Sequence, residues 1–216
     1  MTNRSYRHRR GRMSPSTEEA LARLGDQVVE IPGPPLDLAA LFGRVAPLVV
    51  EIGSGMGEAT AAMAAADPDR DLLAVDVHVQ GLGRLLRRVE EAGLTNVRVA
   101  EGDAVVLLQE MVDDGAVDEV RVFFPDPWPK ARHHKRRLVQ APFLDLVARR
   151  LRPGGRLHVA TDWAPYAEQV SRTLRAHDAF AVEQEGTRPA HRPVTRFEQQ
   201  GLDAGRSSWD VVSRRR

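Results

Sequence analysis

From Leu48 onward, short apolar runs alternate with segments of helical length, and this alternation limits the possible folds more than any other feature. The apolar runs are LVVEI, LLAVDV, VRVA, EVRVFF and RLHVA, and the helix-length segments cover residues 57–66, 80–92, 104–113, 138–151 and 165–176. Such alternation predicts βαβ units and a parallel sheet covered on both faces. We therefore expect an α/β fold with a doubly wound, mostly parallel, Rossmann-like sheet. FAVEQEG and SSWDVVS near the end predict two more short strands.

Size and composition fit one globular domain, because 216 residues of 42% hydrophobic content can bury a full core. Residues 1–35 read as a basic N-terminal tail, a short helix capped by Ser16 and Gly25, and a Pro/Gly-rich linker; residues 36–216 form the main domain. The absence of cysteine excludes disulfides and thiolate zinc sites. No apolar run approaches the roughly 18 residues of a membrane span. We expect a cytoplasmic protein, and rank an organelle transit peptide lower as an interpretation of the Arg-rich start.

A glycine-rich loop follows the first strand of the regular region and reads Glu51-Ile52-Gly53-Ser54-Gly55-Met56-Gly57. Glycines let a backbone turn tightly and approach a ligand at this edge of a doubly wound sheet. The dinucleotide fingerprint GxGxxG is not met, since its third glycine position holds Glu58. An acid two residues before Gly53 would repel a pyrophosphate but suits a cation, such as the sulfonium and ammonium groups of S-adenosylmethionine.

Two more acids follow the next two strands and strengthen this interpretation. Asp76 ends the second strand, where a carboxylate can accept both hydroxyls of a ribose, and Asp103 follows the third strand, within reach of an adenine amino group. Each acid also has an ordinary structural explanation. Asp76 and Asp103 could be helix N-caps and Glu51 a buried ion-pair partner, so the set carries the prediction rather than any single member.

The segment FFPDPWPKARHHKRR after the fourth strand joins a rigid turn to a basic run. Prolines on both sides of Asp126 fix the backbone and aim its carboxylate, and Trp128 offers a flat face for a base. The basic run supplies candidate phosphate partners; its members are Arg132, His133, His134, Lys135, Arg136 and Arg137. A merely solvated charge run is the alternative.

The seven histidines do not predict a metal site. His133 and His134 are adjacent and point apart, and no His-x-x-x-His pair with a nearby acid occurs. His158, inside a strand, is expected to be a core or edge residue. We therefore expect no metal.

The chain resembles the bacterial tRNA (guanine-N7-)-methyltransferase family over nearly its whole length. The resemblance lies in RSYRHRRGRMSP, VVEIGSGMGE, AVDVHVQGL, EGDA, FFPDPWPKARHHKRRL, LRPGGRLHVATDW and TRFEQQG, of which the PDPW-K-ARH-KRR string is the specific one. The family belongs to the S-adenosylmethionine-dependent class I methyltransferases, and the resemblance implies methyl transfer to N7 of a guanosine in the variable loop of tRNA. Two departures, Pro129 and the pair Gly205-Arg206 where the family has Gly-His, concern substrate positioning.

The resemblance also implies roles for individual residues. A first group would line the S-adenosylmethionine pocket: Glu51, Gly53, Gly55, Asp76, Asp103 and Asp126. A second group would meet the guanosine: Lys130, Asp162, Thr195, Arg196, Phe197 and Glu198. The run Arg132–Arg137 would bind RNA.

The implied chemistry asks for alignment rather than a strong base, because guanine N7 carries a lone pair and no proton. Asp126 is the candidate catalytic residue, with Asp162 beside it to favour the cation developing on the base. Asp162 could instead cap a helix, and residues 195–198 could be an ordinary turn. Two other classes of function compete, a nicotinamide oxidoreductase and an RNA-binding module with a degenerate pocket. We expect a monomer or a homodimer.

Overall fold

The computed structural model describes residues 14–216, so the basic segment 1–12 and its predicted role in RNA binding lie outside the described residues. The first helix, α1 (Pro15–Arg23), begins earlier than predicted. Ser14, not Ser16, is its N-cap, and the Ser14 side chain accepts a hydrogen bond from the Thr17 amide. Pro15 at the first helical position explains this start, because its fixed φ suits a helix and its missing N–H costs nothing there.

Eight strands form one sheet in the order β1-β4-β3-β2-β5-β6-β8-β7. All pairs are parallel except those that β8 makes with β6 and β7. The strands are β1 (Val28–Glu30), β2 (Leu48–Ile52), β3 (Asp71–Asp76), β4 (Val97–Glu101), β5 (Val117–Phe123), β6 (Leu151–Thr161), β7 (Phe180–Gly186) and β8 (Trp209–Arg215). The predicted α/β, doubly wound, mostly parallel sheet is confirmed, as are the two extra strands near the end.

Seven further helices connect the strands. They are α2 (Leu38–Phe42), α3 (Glu58–Ala66), α4 (Val79–Glu91), α5 (Ala104–Val106), α6 (Ala141–Arg150), α7 (Ala164–Arg175) and α8 (Arg196–Asp203). The segment predicted as a helix over 104–113 is split, since α5 passes into a π-helical turn, Leu107–Met111. A 3-10 helix, Ala131–Arg136, holds most of the basic run.

The two faces of the sheet carry separate apolar layers. One layer contains Leu72, Leu85 and Leu86 between β3 and α4, all nearly fully buried, with Leu21 of α1 packed against it. The other, larger layer includes Leu144, Tyr166 and Leu174 of α6 and α7. Burial at this level stabilises the sheet by about 1.5–3 kcal/mol per large apolar side chain. The layers fix the carboxyl ends of the parallel strands at one edge, where the site lies.

The short strand β1 was not predicted from sequence. Val28, Val29 and Glu30 pair with Val99–Glu101 of β4, so this part of the predicted 1–35 segment belongs to the same sheet as residues 36–216. The division of the chain into two parts near residue 35 stays a prediction. α1 also packs closely on α4, because a Cβ added to Gly83 would lie 2.3 Å from Thr17 Cγ2.

Within residues 14–216, no helix has the length and apolar character needed to cross a membrane.

Candidate functional site

The glycine loop between β2 and α3 depends on a backbone that other residues adopt only with strain. Gly53, Gly55 and Gly57 have φ values of 84°, 58° and 78°. At Gly81, on the first turn of α4, the approach is equally close, since an added Cβ would lie 2.0 Å from the Gly55 carbonyl oxygen. Glycine at these places lets loop and helix touch through their backbones and leaves the loop amides facing a pocket.

Asp76, at the carboxyl end of β3, holds this loop. Its Oδ2 accepts from the Gly55 amide at 3.0 Å, and its Oδ1 accepts from the His78 amide at 2.9 Å. Burial raises the pKa of Asp76, and the hydrogen bonds from His78 and Gly55 oppose that rise. Each carboxylate oxygen keeps a further lone pair, so Asp76 can anchor the loop and still accept from a ligand hydroxyl.

Glu51, in β2, is buried at 2% exposure. Its Oε1 accepts from Thr60 Oγ1 at 3.1 Å, and its Oε2 has no hydrogen-bond partner among the residues the structure describes. Burial raises the pKa of Glu51 to about 7, although the charge of Arg121 lowers it. An unpartnered buried carboxylate oxygen beside the glycine loop fits the cationic amino group of S-adenosylmethionine.

Asp103 caps α5, with its Oδ1 accepting from the Val105 amide at 2.9 Å. Asp103 is therefore a helix N-cap, as the structural alternative predicted, and it also lines the same cavity as Glu51 and Asp76. This cavity measures about 600 Å³. The predicted site residues that line it are Glu51, Gly53, Gly55, Asp76, Asp103, Asp126, Arg136, Thr195, Arg196 and Phe197.

Asp126 lies at the mouth of the cavity, on a turn whose backbone is held in an unusual shape. Phe124 before it and Trp128 after it have φ values of 52° and 42°. Positive φ at such bulky residues costs roughly 1–3 kcal/mol each and occurs mainly at functional sites. The Asp126 carboxylate makes no hydrogen bond within residues 14–216, and partial burial raises its pKa. The turn therefore presents an acceptor to the cavity instead of using it internally.

Trp128 is less available for stacking than the sequence suggested. The Arg136 guanidinium lies over its ring at 4.9 Å, and the His133 ring meets it edge-on at 5.8 Å. Trp128 and Arg136 both line the cavity. A cation held on this indole places positive charge where the cavity meets the basic 3-10 helix.

The basic run divides into an outer part and one buried residue. Arg132 and Lys135 are exposed, as is Lys130 just before the 3-10 helix. Arg136, His133 and His134 are partly buried. Partial burial lowers the pKa of His133, and the charges of Arg136 and Arg132 lower it further, so His133 is neutral near pH 7.

Arg137 does not belong with the predicted RNA-binding run. It is 3% exposed, its Nε donates to the Pro127 carbonyl at 2.7 Å, and its Nη1 donates to Gln169 of α7. Its guanidinium also lies 4.9 Å from the Tyr166 ring. Arg137 therefore fixes the Asp126 turn to α7 and is not available to solvent, which corrects its assignment.

Asp162, at the end of β6, lies outside the cavity lining and forms an ion pair. Arg206 Nε donates to Asp162 Oδ2 at 2.8 Å. Gly201 of α8 packs on this carboxylate, with an added Cβ 3.1 Å from Oδ2. Arg206, which stands where the family has His, thus forms an ion pair with Asp162, a residue expected to contact the guanosine.

Residues 195–198 begin α8 rather than forming a simple turn. Thr195 and Glu198 make a capping box, in which each side chain accepts from the other's amide. Phe197 is 59% exposed, and a Cβ on Gly55 would lie 3.7 Å from its ring. Glu198 is 3% exposed and accepts from Arg192 and Ser208. Thr195, Arg196 and Phe197 face the cavity, whereas Glu198 holds the helix that carries them.

Three possible metal ligands meet between β5, β6 and the segment after β7, because Glu119, His158 and His191 bring one ligand atom each within 4.8 Å of one another. Both oxygens of Glu119 already accept from arginines, Arg121 Nε at 2.6 Å and Arg70 Nη1 at 2.7 Å. Burial would raise the pKa of Glu119, but these arginines outweigh it and hold the pKa at about 2. Their charges also disfavour a metal cation here. The absence of a metal stays a prediction.

Sequence reasoning missed Arg192, which bridges Glu198 and Asp210 and is fully buried. No local signal could have found it, because its partners lie six and eighteen residues away. It also passed over Glu119 and Arg121, two charged residues on one face of β5. Their spacing of two residues in an apolar strand was a usable signal of a buried ion pair.

Among solved structures, the fold is similar to that of the 16S rRNA methyltransferase KamB, with a TM-score of 0.64 and 18% identity over 87% of this chain and 98% of that one. A family model described as "Putative methyltransferase" matches residues 45–211. The fold and the cavity thus define a Rossmann-like methyltransferase.

Comparison with curated relatives identifies the family within this class of methyltransferases. The chain is 54% identical to the tRNA (guanine-N(7)-)-methyltransferase of Streptomyces avermitilis, covering 98% of this chain and 75% of that protein. It is 50% identical to the protein of the same name from Nitrosospira multiformis, covering 99% and 94%. The chain belongs to the tRNA (guanine-N(7)-)-methyltransferase family, and the resemblance seen in its motifs is confirmed.

Proposed function

We propose that this protein transfers the methyl group of S-adenosylmethionine to N7 of a guanosine in tRNA, in the variable loop. One observation carries the proposal most directly. The Asp126 carboxylate, free of hydrogen bonds within the described chain, lines an acid-lined cavity and is followed in sequence by a basic 3-10 helix. Family membership supports the same reaction.

The cofactor side of the cavity fits S-adenosylmethionine in charge and shape. When bound, this cofactor supplies an electrophilic methyl group on a positively charged sulfur. Glu51 Oε2 would accept from its amino group, since that oxygen is buried and unpartnered. Asp76 would accept from the ribose hydroxyls through its remaining lone pairs while it continues to hold Gly55. Asp103 would accept from the adenine amino group.

The substrate side would recognise the guanine edge through acceptors. Guanine N7 attacks through a lone pair, so no residue removes a proton from it. Positive charge develops on the base as N7 becomes methylated, and the nearby Asp126 carboxylate favours that charge. Asp126 would accept from N1–H or the amino group, and Asp162 would join it through Oδ1, because its Oδ2 accepts from Arg206. Lys130, Thr195, Arg196 and Phe197 would complete the guanosine site.

The basic residues outside the cavity would hold the tRNA backbone. Arg132, His134, Lys135 and Arg136, with Lys130, form a surface that we call the basic strip. Residues 1–12, which carry five arginines and no acid, would add to RNA affinity. We place the reaction in the cytoplasm, with a monomer or homodimer as the acting species.

The proposal is tested by incubating the protein with bulk tRNA and methyl-labelled S-adenosylmethionine and mapping the product. We expect N7-methylguanosine in the variable loop, which borohydride reduction and aniline cleavage would locate. Label on another atom would contradict the proposed reaction, and label at N7 elsewhere in tRNA would contradict the variable-loop assignment. If tRNA bound tightly without accepting label, the RNA-binding module would be the better description.

A further inference from the structure

A buried ionic cluster joins two segments that both line the cavity, the Asp126 turn and the start of α8. At its centre, Arg192 is 0% exposed and bonds two carboxylates at once. Arg192 Nε and Nη2 donate to Asp210 Oδ1 and Oδ2 at 2.6 and 2.7 Å. Its Nη1 and Nη2 donate to Glu198 Oε2 and Oε1 at 2.6 and 3.2 Å. Four charge-assisted bonds fix the plane and position of one guanidinium.

Each partner of Arg192 belongs to a different element of the site. Glu198 lies in the first turn of α8 and closes its capping box, so it sets where that helix begins. Asp210 lies in β8 and is bonded at 2.7 Å to His158 Nε2 of β6. Arg192 therefore ties the start of α8, with its cavity-facing residues, to the centre of the antiparallel part of the sheet.

The flat face of Arg192 contacts the other side of the cavity mouth. Its guanidinium carbon lies 5.6 Å from the centre of the Phe123 ring and 5.5 Å from that of Phe124. Phe124 is the positive-φ residue two positions before Asp126. One side chain thus contacts both the strand end that carries Asp126 and the helix that carries Phe197.

Stability alone gives a weak account of this arrangement. Burying a cation between two carboxylates carries a desolvation cost for each ion, and apolar residues of similar volume often stabilise a fold as well or better. What the cluster provides instead is a fixed distance between two segments. Reactions that depend on alignment are sensitive to that distance, since a 1 Å misplacement can cost about a hundredfold in rate.

We propose that Arg192 is a positioning residue for methyl transfer, which sets α8 against the Asp126 turn so that guanosine and methyl donor meet in line. This inference rests on the proposed function. Arg192 does not face the cavity and touches neither reactant; it acts through Glu198 and Phe124. Its loss should therefore lower turnover while the basic strip continues to bind tRNA.

Two pairs of variants test this role. Arg192→Lys keeps the charge but cannot bond both carboxylates in two places, and Arg192→Met with Asp210→Asn removes one charge of each sign. The controls alter an ion pair at the opposite edge of the sheet, where Arg44 Nη2 lies 2.7 Å from the buried Asp71 carboxylate. They are Arg44→Lys and Arg44→Met with Asp71→Asn.

We measure kcat at saturating tRNA and cofactor, Kd for tRNA, and Tm. We expect kcat to fall about tenfold in Arg192→Lys and about a hundredfold in the double variant, with tRNA Kd within about twofold of wild type. Both controls should keep kcat within about twofold whatever their loss of Tm, which separates loss of stability from loss of turnover.

Wild-type kcat in either folded Arg192 variant would overturn the positioning role, and failure of both variants to fold would assign Arg192 to folding instead. The wild-type reaction separates the two proposals. If wild-type protein does not methylate tRNA, the proposed function fails, whereas an active wild type with active variants refutes only the role of Arg192.

Discussion

The two sides of the cavity use their carboxylates differently. On the cofactor side, Asp76 bonds the Gly55 and His78 amides, and Asp103 bonds the Val105 amide. On the substrate side, Asp126 bonds nothing within the described chain and stands between prolines on a strained turn. Asp76 and Asp103 therefore hold backbone amides of the fold while they line the cavity, whereas the Asp126 carboxylate has no such structural task.

Because of this difference, substitutions at Asp76 and at Asp126 have effects with different causes. A change at Asp76 must disturb loop and ligand together, so loss of binding there mixes two causes. A change at Asp126 removes no hydrogen bond of the fold, and its effect reports on the reaction. Four substitutions test this contrast, in order of decreasing effect on methyl transfer.

Asp126→Asn should have the largest effect. The amide keeps the shape but removes the charge that favours the developing cation, and it turns one acceptor into a donor. We expect kcat to fall about 10²- to 10³-fold, the cost of losing one electrostatic group at a reacting centre. Folding stability and tRNA Kd should stay near wild type. Single-turnover rates equal to wild type would transfer the catalytic role to Asp162.

The pH profile of the wild-type enzyme tests the role of the ionised Asp126 carboxylate without a substitution. Partial burial raises the pKa of Asp126, and the ionised form is the active one, so activity should fall as pH drops through that raised pKa. Above it, kcat measured at saturating cofactor should be flat through the neutral range, because N7 has no proton to remove and bound cofactor keeps the buried Glu51 ionised. A rate that climbs steadily across the neutral range would instead indicate a general base.

Asp76→Asn should weaken cofactor binding and also destabilise the glycine loop. The amide can accept through one atom only, so either the Gly55 or the His78 contact is lost with the ligand contacts. We expect Kd for S-adenosylmethionine to rise about 10- to 100-fold, as for one or two hydrogen bonds to a charged group. Calorimetry measures this, and thermal unfolding should also detect a lower Tm. Unchanged affinity would remove Asp76 from the cofactor site.

Glu51→Gln should alter the pH dependence of folding stability more than it alters the rate of methyl transfer. Burial raises the pKa of Glu51 from 4.5 to about 7, so between these values only the folded protein holds the proton. The free energy of unfolding contributed by Glu51 is thus present at low pH and is lost as pH rises through about 7, by up to roughly 3 kcal/mol. Urea unfolding across this window should show that loss in wild type and not in the variant; equal slopes would contradict it.

Changing Arg132, Lys135 and Arg136 together to Ala should affect turnover least. Each lost phosphate contact reduces the slope of log affinity against log salt by about one unit, so the slope for tRNA should flatten by about three. Turnover at saturating tRNA should stay within about threefold of wild type, and cofactor affinity should barely move. An unchanged slope would show that the basic strip is only solvated surface.

Much of the fold was predictable because apolar runs report strands buried on both faces. The five central strands were placed by LVVEI, LLAVDV, VRVA, EVRVFF and RLHVA. β1 was missed because three residues before a proline-rich stretch give no periodic pattern. The start of α1 was misplaced because Ser14 and Ser16 are both good N-cap residues, and Pro15 decided between them.

The site was predictable where chemistry follows a strand end, and less so where it depends on packing. Glu51, Asp76, Asp103 and Asp126 meet at one cavity because parallel strands end at one edge. A run of cations, by contrast, does not reveal which member turns inward. Arg137 does so because Leu138 and Val139 after it enter the core, and that order of burial appears only in the folded chain.

The glycines of α4 have a mechanical consequence. Thr17 of α1 rests against Gly83, and Gly81, two residues earlier, rests against the Gly55 carbonyl. One contact is made by the short Thr17 side chain and the other by a backbone carbonyl, so little side-chain rotation could absorb a displacement, and close-packed interiors transmit strain. A shift of α4 would therefore move both α1 and the glycine loop that lines the cavity.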